Sequence, residues 1–204
     1  MVLKASPRVD ALTGRVGRYA AVIPLSANAW TLLALLPAAL GVGALLAEEL
    51  AIAIVLFAVA GAIDAIDGAV ARARDEVSDV GAYLDGMVDR VVEAALLFGL
   101  MLFGYPDWVV PGWMWLALLL FFGTAMTSFA RAYADHRNVV TDPAQLADLG
   151  GLLERAERLL LIVASMLVWF IDPLFATYVI ALGVGLAVVT VIQRMVGVIR
   201  AGSD

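Results

Sequence analysis

Along the chain, apolar residues come in long runs rather than in the short alternation of half-buried strands. The runs predict six membrane-length helices, at about 29–47, 50–73, 80–104, 110–136, 151–171 and 174–198. Short polar or turn-forming breaks separate several of them: Glu48–Glu49, the YPDW stretch Tyr105–Trp108, and Asp172–Pro173. The longest break, at about 137–150, is polar. Ahead of the first run, residues 6–20 set Arg8, Arg15 and Arg18 among apolar neighbours and predict a short amphipathic helix lying on the membrane surface. The expected fold is all-α and integral to a membrane: six transmembrane helices after an N-terminal surface helix, in a single domain over 1–204.

Composition agrees. Of 204 residues 63% are hydrophobic and the mean hydropathy is +0.96, where a soluble domain is about half apolar. With no cysteine, disulfides and thiolate metal sites are excluded. His136 is the only histidine, which removes His-based zinc sites and catalytic triads; at the end of the fourth run it reads as a surface residue. A net charge of −6 without a basic arm argues against a nucleic-acid partner.

The charges also orient the chain. With the N-terminus cytoplasmic, all 13 Lys and Arg residues fall on or near the cytoplasmic side, and the other side holds only Glu48, Glu49, Asp107 and Asp172. That is the bias of a multi-pass protein in the cytoplasmic membrane. Trp108, Trp113 and Trp115 suit an outer interfacial belt.

One stretch breaks the apolar pattern. Asp64 and Asp67 are three apart on the second predicted helix and share a face; Asp85 and Asp89 are four apart on the third and share another. A short connection makes these helices antiparallel neighbours, so the pairs can meet. Each ionised Asp costs roughly 2.5–3.5 kcal/mol at a span centre, and four like charges repel. A cation must hold them together. Oxygen ligands without His or Cys point to a hard divalent ion, and carboxylates around Mg²⁺ usually accompany phosphate chemistry. Gly61, Ala62, Ala65, Gly68, Ala69, Ala71, Gly81, Ala82 and Gly86 leave room for close helix approach and for a ligand lying against backbone. Pairing with Arg72, Arg74 and Arg90 would account for one or two such acids, not for four at this spacing.

At these residues the sequence resembles the CDP-alcohol phosphotransferase family, whose signature is D-x2-D-G-x2-A-R-x8-G-x3-D-x3-D. Asp64, Asp67, Gly68, Ala71, Arg72, Gly81, Asp85 and Asp89 match every spacing. The resemblance implies that an acceptor hydroxyl attacks a CDP-linked lipid at phosphorus and CMP leaves. It implies Asp64, Asp67, Asp85 and Asp89 as ligands of two divalent cations, Mg²⁺ or Mn²⁺, with Asp89 as the catalytic base. Asp64, Gly68, Ala71, Arg72, Gly81 and Asp85 map to the CDP-binding part of the signature. Ser26–Thr31 (SANAWT) resembles the family's upstream P-N-x-x-T element and adds Asn28 and Thr31, although Ala27 stands where the family has proline.

Three further stretches, Ser128–Asp135, Gly150–Leu159 and Val191–Met195, are similar to the branch that joins inositol phosphate to a CDP-lipid, phosphatidylinositol-phosphate synthases and their archaeal relatives. The three basic residues of that branch's acceptor pocket match Arg131, Arg155 and Arg194; the first is often Lys there. Three cations converging on a dianionic phosphate make chemical sense. Arg137, Arg158 and Arg200 read as ordinary flanking charges. Glu93, one turn past Asp89, suits either acceptor hydroxyls or an Arg partner such as Arg158. The resemblance further implies a homodimer with the third and fourth helices at the contact, and an active site facing the cytoplasm. Rival readings are another acceptor or donor (glycerol phosphate, serine, or CDP-inositol in di-inositol phosphate synthesis) and a cation transporter. The transporter reading is disfavoured because the acids cluster on one side of the membrane.

Overall fold

The computed structural model of the protein describes residues 22–202, all helix and connecting turns apart from one isolated bridge between Trp108 and Val110. The surface helix expected over 6–20 lies outside the described residues. Those up to Gly99 form one compact unit and those from Leu100 a second.

The first unit starts with α1 (Ala27–Leu33) and α2 (Leu35–Leu46), two pieces of one rod. Ser26 caps α1, its hydroxyl accepting from Ala29 N at 3.3 Å. The rod breaks at Ala34 because Pro37 has no N–H for Leu33 O and its ring crowds that carbonyl; Pro37 then falls in the first turn of α2, where a missing N–H costs nothing. α2 ends in a Schellman motif. Glu48 takes φ +62°, Glu49 N donates to Ala44 O at 2.8 Å, and Glu48 N donates to Leu45 O at 3.0 Å. α3 (Leu50–Arg74) packs back on α2, with Gly41 so close to the Phe57 ring that a Cβ would sit 2.7 Å from it. α3 stops at Asp75, φ +57°, with Glu76 N on Ala71 O. After a turn of four residues, 75–78, α4 (Asp79–Phe103) begins, with Ser78 Oγ accepting from Gly81 N at 3.1 Å.

In the second unit, α5 (Gly112–Leu118) runs into a π-helical segment (Leu119–Met126) and then α6 (Thr127–His136). A short α7 (Pro143–Asp148) lies in the predicted polar loop. α8 (Arg155–Trp169) and α9 (Pro173–Ala201) pack together, Gly183 admitting Leu161 where a Cβ would sit 2.8 Å away. Leu116, Leu119, Ile162, Met166 and Ile180 are fully buried between these elements.

Large apolar side chains are also exposed in helical stripes, for example Leu32, Leu36 and Leu40 on α1–α2. A surface of that kind belongs in lipid, and the protein is an integral membrane protein. Among the described residues four helices have the length and apolarity to cross a membrane: Ala27–Leu46, Leu50–Arg74, Gly112–His136 and Pro173–Ala201. The other two predicted spans differ for identifiable reasons. α4 has 25 residues, but every membrane-length stretch of it includes Asp89, Arg90 and Glu93. α8 has 15 residues, about 22 Å at the helical rise against a hydrocarbon core of about 30 Å. Arg158, expected as a flanking charge, is instead buried, because Gly123 of the π segment leaves room for its aliphatic stem.

Candidate active site

The acidic cluster forms in the first unit. The helical repeat puts Asp64 and Asp67 on one face of α3, the short 75–78 turn returns the chain antiparallel, and Asp85 comes in from α4. One carboxylate oxygen from each of Asp64, Asp67 and Asp85 lies within 4.8 Å of the other two. A hard cation at about 2.0–2.6 Å from each oxygen spans that separation. Asp67 is 4% exposed and its Oδ2 is buried without a hydrogen-bond partner. A buried carboxylate oxygen left so is costly, and a metal ion is a partner that would remove the cost. The three residues therefore fit the divalent cation implied by the sequence. Asp89, also buried, lies outside this close group; its Oδ2 is 3.7 Å from Arg90 Nη1, which also donates to Gly86 O.

Beside the carboxylates is a cavity of about 280 Å³. Asn28 and Thr31 reach it from α1, Asp67, Gly68, Ala71 and Arg72 from α3, and Gly81 and Asp85 from α4. Of the residues assigned to CDP binding from the sequence, only Asp64 is not among its lining, and it stands in the adjoining carboxylate group. Gly81 has a spatial reason: a Cβ there would lie 3.2 Å from Ser78 Oγ and 3.3 Å from Asn28 Oδ1. The start of α1 is tied to the end of α3 by Glu76, which the sequence reading did not single out, and by Arg74, read there only as a partner for the acids. Glu76 lines the cavity and accepts from Ala27 N at 3.0 Å, while Arg74 donates to Leu25 O at 2.6 Å and Ile23 O at 2.5 Å. These ties anchor the start of α1, and hence Asn28, to the end of α3. Contacts across 49 residues of sequence leave no local signal.

The three arginines assigned to the acceptor phosphate belong to the second unit. Arg194 on α9 is 6% exposed; its Nη1 donates to Thr127 O and its Nη2 meets Glu154 Oε2 at 2.7 Å. Arg131 on α6 donates to Leu149 O at 3.2 Å, and Arg155 opens α8. Both are half-buried. Glu154 was not singled out from the sequence, since only the fold reveals its contact with a residue 40 positions away. Glu93 is buried and His136 exposed.

The CDP-alcohol phosphatidyltransferase family model matches residues 24–191. An archaetidylinositol phosphate synthase from Pyrococcus horikoshii is 31% identical over 195 residues, covering 96% of this chain and 95% of that one. The crystal structure of Mycobacterium tuberculosis phosphatidylinositol phosphate synthase with CDP-DAG bound has a TM-score of 0.76 at 23% identity, over 92% of this chain and 94% of that one. The same enzyme in complex with manganese and citrate gives 0.76 at 22% identity, over 91% and 88%. At such identities these structures speak to the fold, which they share with this membrane protein. The match to the family model takes in the whole signature from Asp64 to Asp89, and the chain belongs to the CDP-alcohol phosphatidyltransferase family.

Proposed function

We propose that this enzyme transfers the phosphatidyl-type group of a CDP-linked lipid to a hydroxyl of inositol phosphate and releases CMP. The observation that carries the donor half is the carboxylate group of Asp64, Asp67 and Asp85 adjoining a cavity lined by Asn28, Thr31, Gly68 and Arg72. The acceptor half is supported by the similarity to the archaetidylinositol phosphate synthase over nearly the whole chain, together with Arg131, Arg155 and Arg194.

In this reading Asp64, Asp67 and Asp85 hold Mg²⁺ or Mn²⁺, with Asp89 as a further ligand in a two-ion site. Held by these carboxylates, the metal would supply charge neutralisation at the diphosphate. Asn28, Thr31 and Arg72 hold the nucleotide, and Gly68, Ala71 and Gly81 let it approach the backbone. Arg131, Arg155 and Arg194 grip the acceptor phosphate. The acceptor oxygen forms a bond to the lipid-bearing phosphorus, the bond from that phosphorus to the CMP oxygen breaks, and Asp89 takes the hydroxyl proton. The proposal includes a single domain over 1–204, α4 and α8 completing six spans, an active site on the cytoplasmic face of the cell membrane, and a homodimer.

The test uses purified enzyme and a CDP-lipid with inositol, inositol phosphate, glycerol phosphate and serine in parallel, following CMP release. Inositol phosphate is expected to be the preferred acceptor, with activity lost on chelation and restored by Mg²⁺ or Mn²⁺. Preference for serine or glycerol phosphate would overturn the acceptor assignment, and full activity in excess EDTA would overturn the metal assignment.

A further inference from the structure

The contact between Glu154 and Arg194 is incomplete on both sides. Arg194 uses Nη1 on Thr127 O and Nη2 on Glu154 Oε2, yet its Nε, inside a side chain 6% exposed, has no hydrogen-bond partner among the described residues. Glu154 uses Oε2 on Arg194, yet its Oε1 is also buried without a partner. One side chain thus keeps a spare donor and the other a spare acceptor, joined by a 2.7 Å ion pair. Each is costly when left unmade. A phosphate oxygen satisfies the donor. Only a group that gives a proton, such as a hydroxyl, satisfies the acceptor. A molecule bearing both, a polyol phosphate, completes the pair.

The surroundings hold Glu154 in place. Leu152 N donates to Gln193 Oε1 at 3.0 Å and Leu153 N to Thr190 Oγ1 at 2.9 Å, both acceptors on α9 within one turn of Arg194. Gly151 lies so close to Thr190 that a Cβ would be 2.3 Å from its methyl carbon. The chain before α8 is strapped to α9, and Glu154 at the N-cap position of α8 is fixed without using its Oε1. Fixing a carboxylate in this way is pre-organisation for a ligand.

We infer that Glu154 reads a ring hydroxyl of the acceptor beside the phosphate held by Arg194, and so helps select a polyol phosphate over simpler phosphates. The inference rests on the inositol phosphate reading above. Its test compares inositol phosphate with analogues each lacking one non-reacting hydroxyl, using wild type, Glu154→Gln, Glu154→Asp and Arg194→Gln. Wild type is expected to discriminate against one analogue by about 10- to 100-fold in kcat/KM, the range of a hydrogen bond to a charged group. In Glu154→Gln that discrimination shrinks to a few-fold at most, while Arg194→Gln weakens parent and analogue alike; Glu154→Asp recovers part of it. A merely structural role for Glu154 would lower activity on all acceptors equally and leave the discrimination intact, and that result overturns the inference. If Glu154→Gln folds poorly, the partial recovery in Glu154→Asp decides, and its absence counts against the inference. Failure of wild type to use inositol phosphate at all would instead remove the acceptor reading, and the inference with it.

Discussion

Asp67 and Asp89 are both buried acids one helix apart, and their surroundings divide the labour between them. Asp67 belongs to the close carboxylate group with Asp64 and Asp85; Asp89 sits apart from it, against Arg90. If Asp89 is the base, Asp89→Asn keeps the nucleotide and the ion held by Asp64, Asp67 and Asp85, weakens only the second ion, and loses about 10²- to 10⁴-fold in kcat, since an amide cannot take the proton. Titrating Mn²⁺ and CDP-lipid into the variant, alongside turnover, checks both halves; residual transfer near the wild-type rate would remove Asp89 from that role. Gly81 supports a sharper geometric prediction. In Gly81→Ala the new methyl stands 3.2 Å from Ser78 Oγ and 3.3 Å from Asn28 Oδ1, so these side chains must give by a few tenths of an ångström, and the donor KM should rise with little change in acceptor KM. An unchanged donor KM would mean that the shift at Asn28 does not reach the nucleotide. The grouping of Asp64, Asp67 and Asp85 and the place of Gly81 beside it were legible in the sequence because these positions follow from the helical repeat and one short turn, whereas Asp89, expected with them, stands outside the group. The Glu154–Arg194 and Glu76–Ala27 contacts were not legible, because they join residues 40 and 49 positions apart.

Helices α8 and α9 are coupled through the strap before α8. Gly151→Ala drives a methyl into Thr190, and a loss of about 1–3 kcal/mol in stability is expected. Thr190→Ser in the same chain removes the nearest carbon, keeps the hydroxyl that accepts from Leu153 N, and should restore part of that loss. Thermal unfolding in detergent of the single and double variants reads this directly; equal destabilisation with and without Thr190→Ser would show that the contact is not the cause. At this scale the apolar runs located the helices, and their ends carry recognisable chemistry: Ser26 and Asp172 as side-chain caps, with Pro173 at the first position of α9. The break at Ala34 follows from Pro37 and was open to local reasoning. The burial of Arg158 was not, because it depends on Gly123, 35 positions earlier, standing opposite. Charge at the membrane-facing end of a helix looks the same in sequence whether it faces water or a packed neighbour.

For the whole molecule, the distribution of Lys and Arg carries the expectation of orientation. The chain contains no cysteine, so single cysteines can be introduced without background. Cysteines at Asn138 or Thr141 should react only with reagents that cross the membrane, and cysteines at Glu49 or Asp107 should react with impermeant reagents added outside as well. The reverse pattern would invert the proposed topology. The apolar runs, and the charges Asp89, Arg90 and Glu93 inside the third of them, are read directly from the sequence; that α8 starts only at Arg155 and is 15 residues long is not.

The π-helical segment Leu119–Met126 has a consequence for how this chain tolerates insertions and deletions. A π turn takes in more residues than an α turn, and each residue advances an α-helix by about 100°. Deleting Ala125 should therefore let the segment relax to α-helix with Thr127 and Arg131 left in their rotational setting, whereas deleting Phe129 from the regular helix α6 turns Arg131 by about 100° about the helix axis. Helical content, followed by circular dichroism, is expected to survive both deletions, while transfer to the acceptor survives the first and is lost in the second. Loss of transfer on deleting Ala125 alone would show that the segment does not absorb an extra residue. In this part of the chain, length is an angular coordinate.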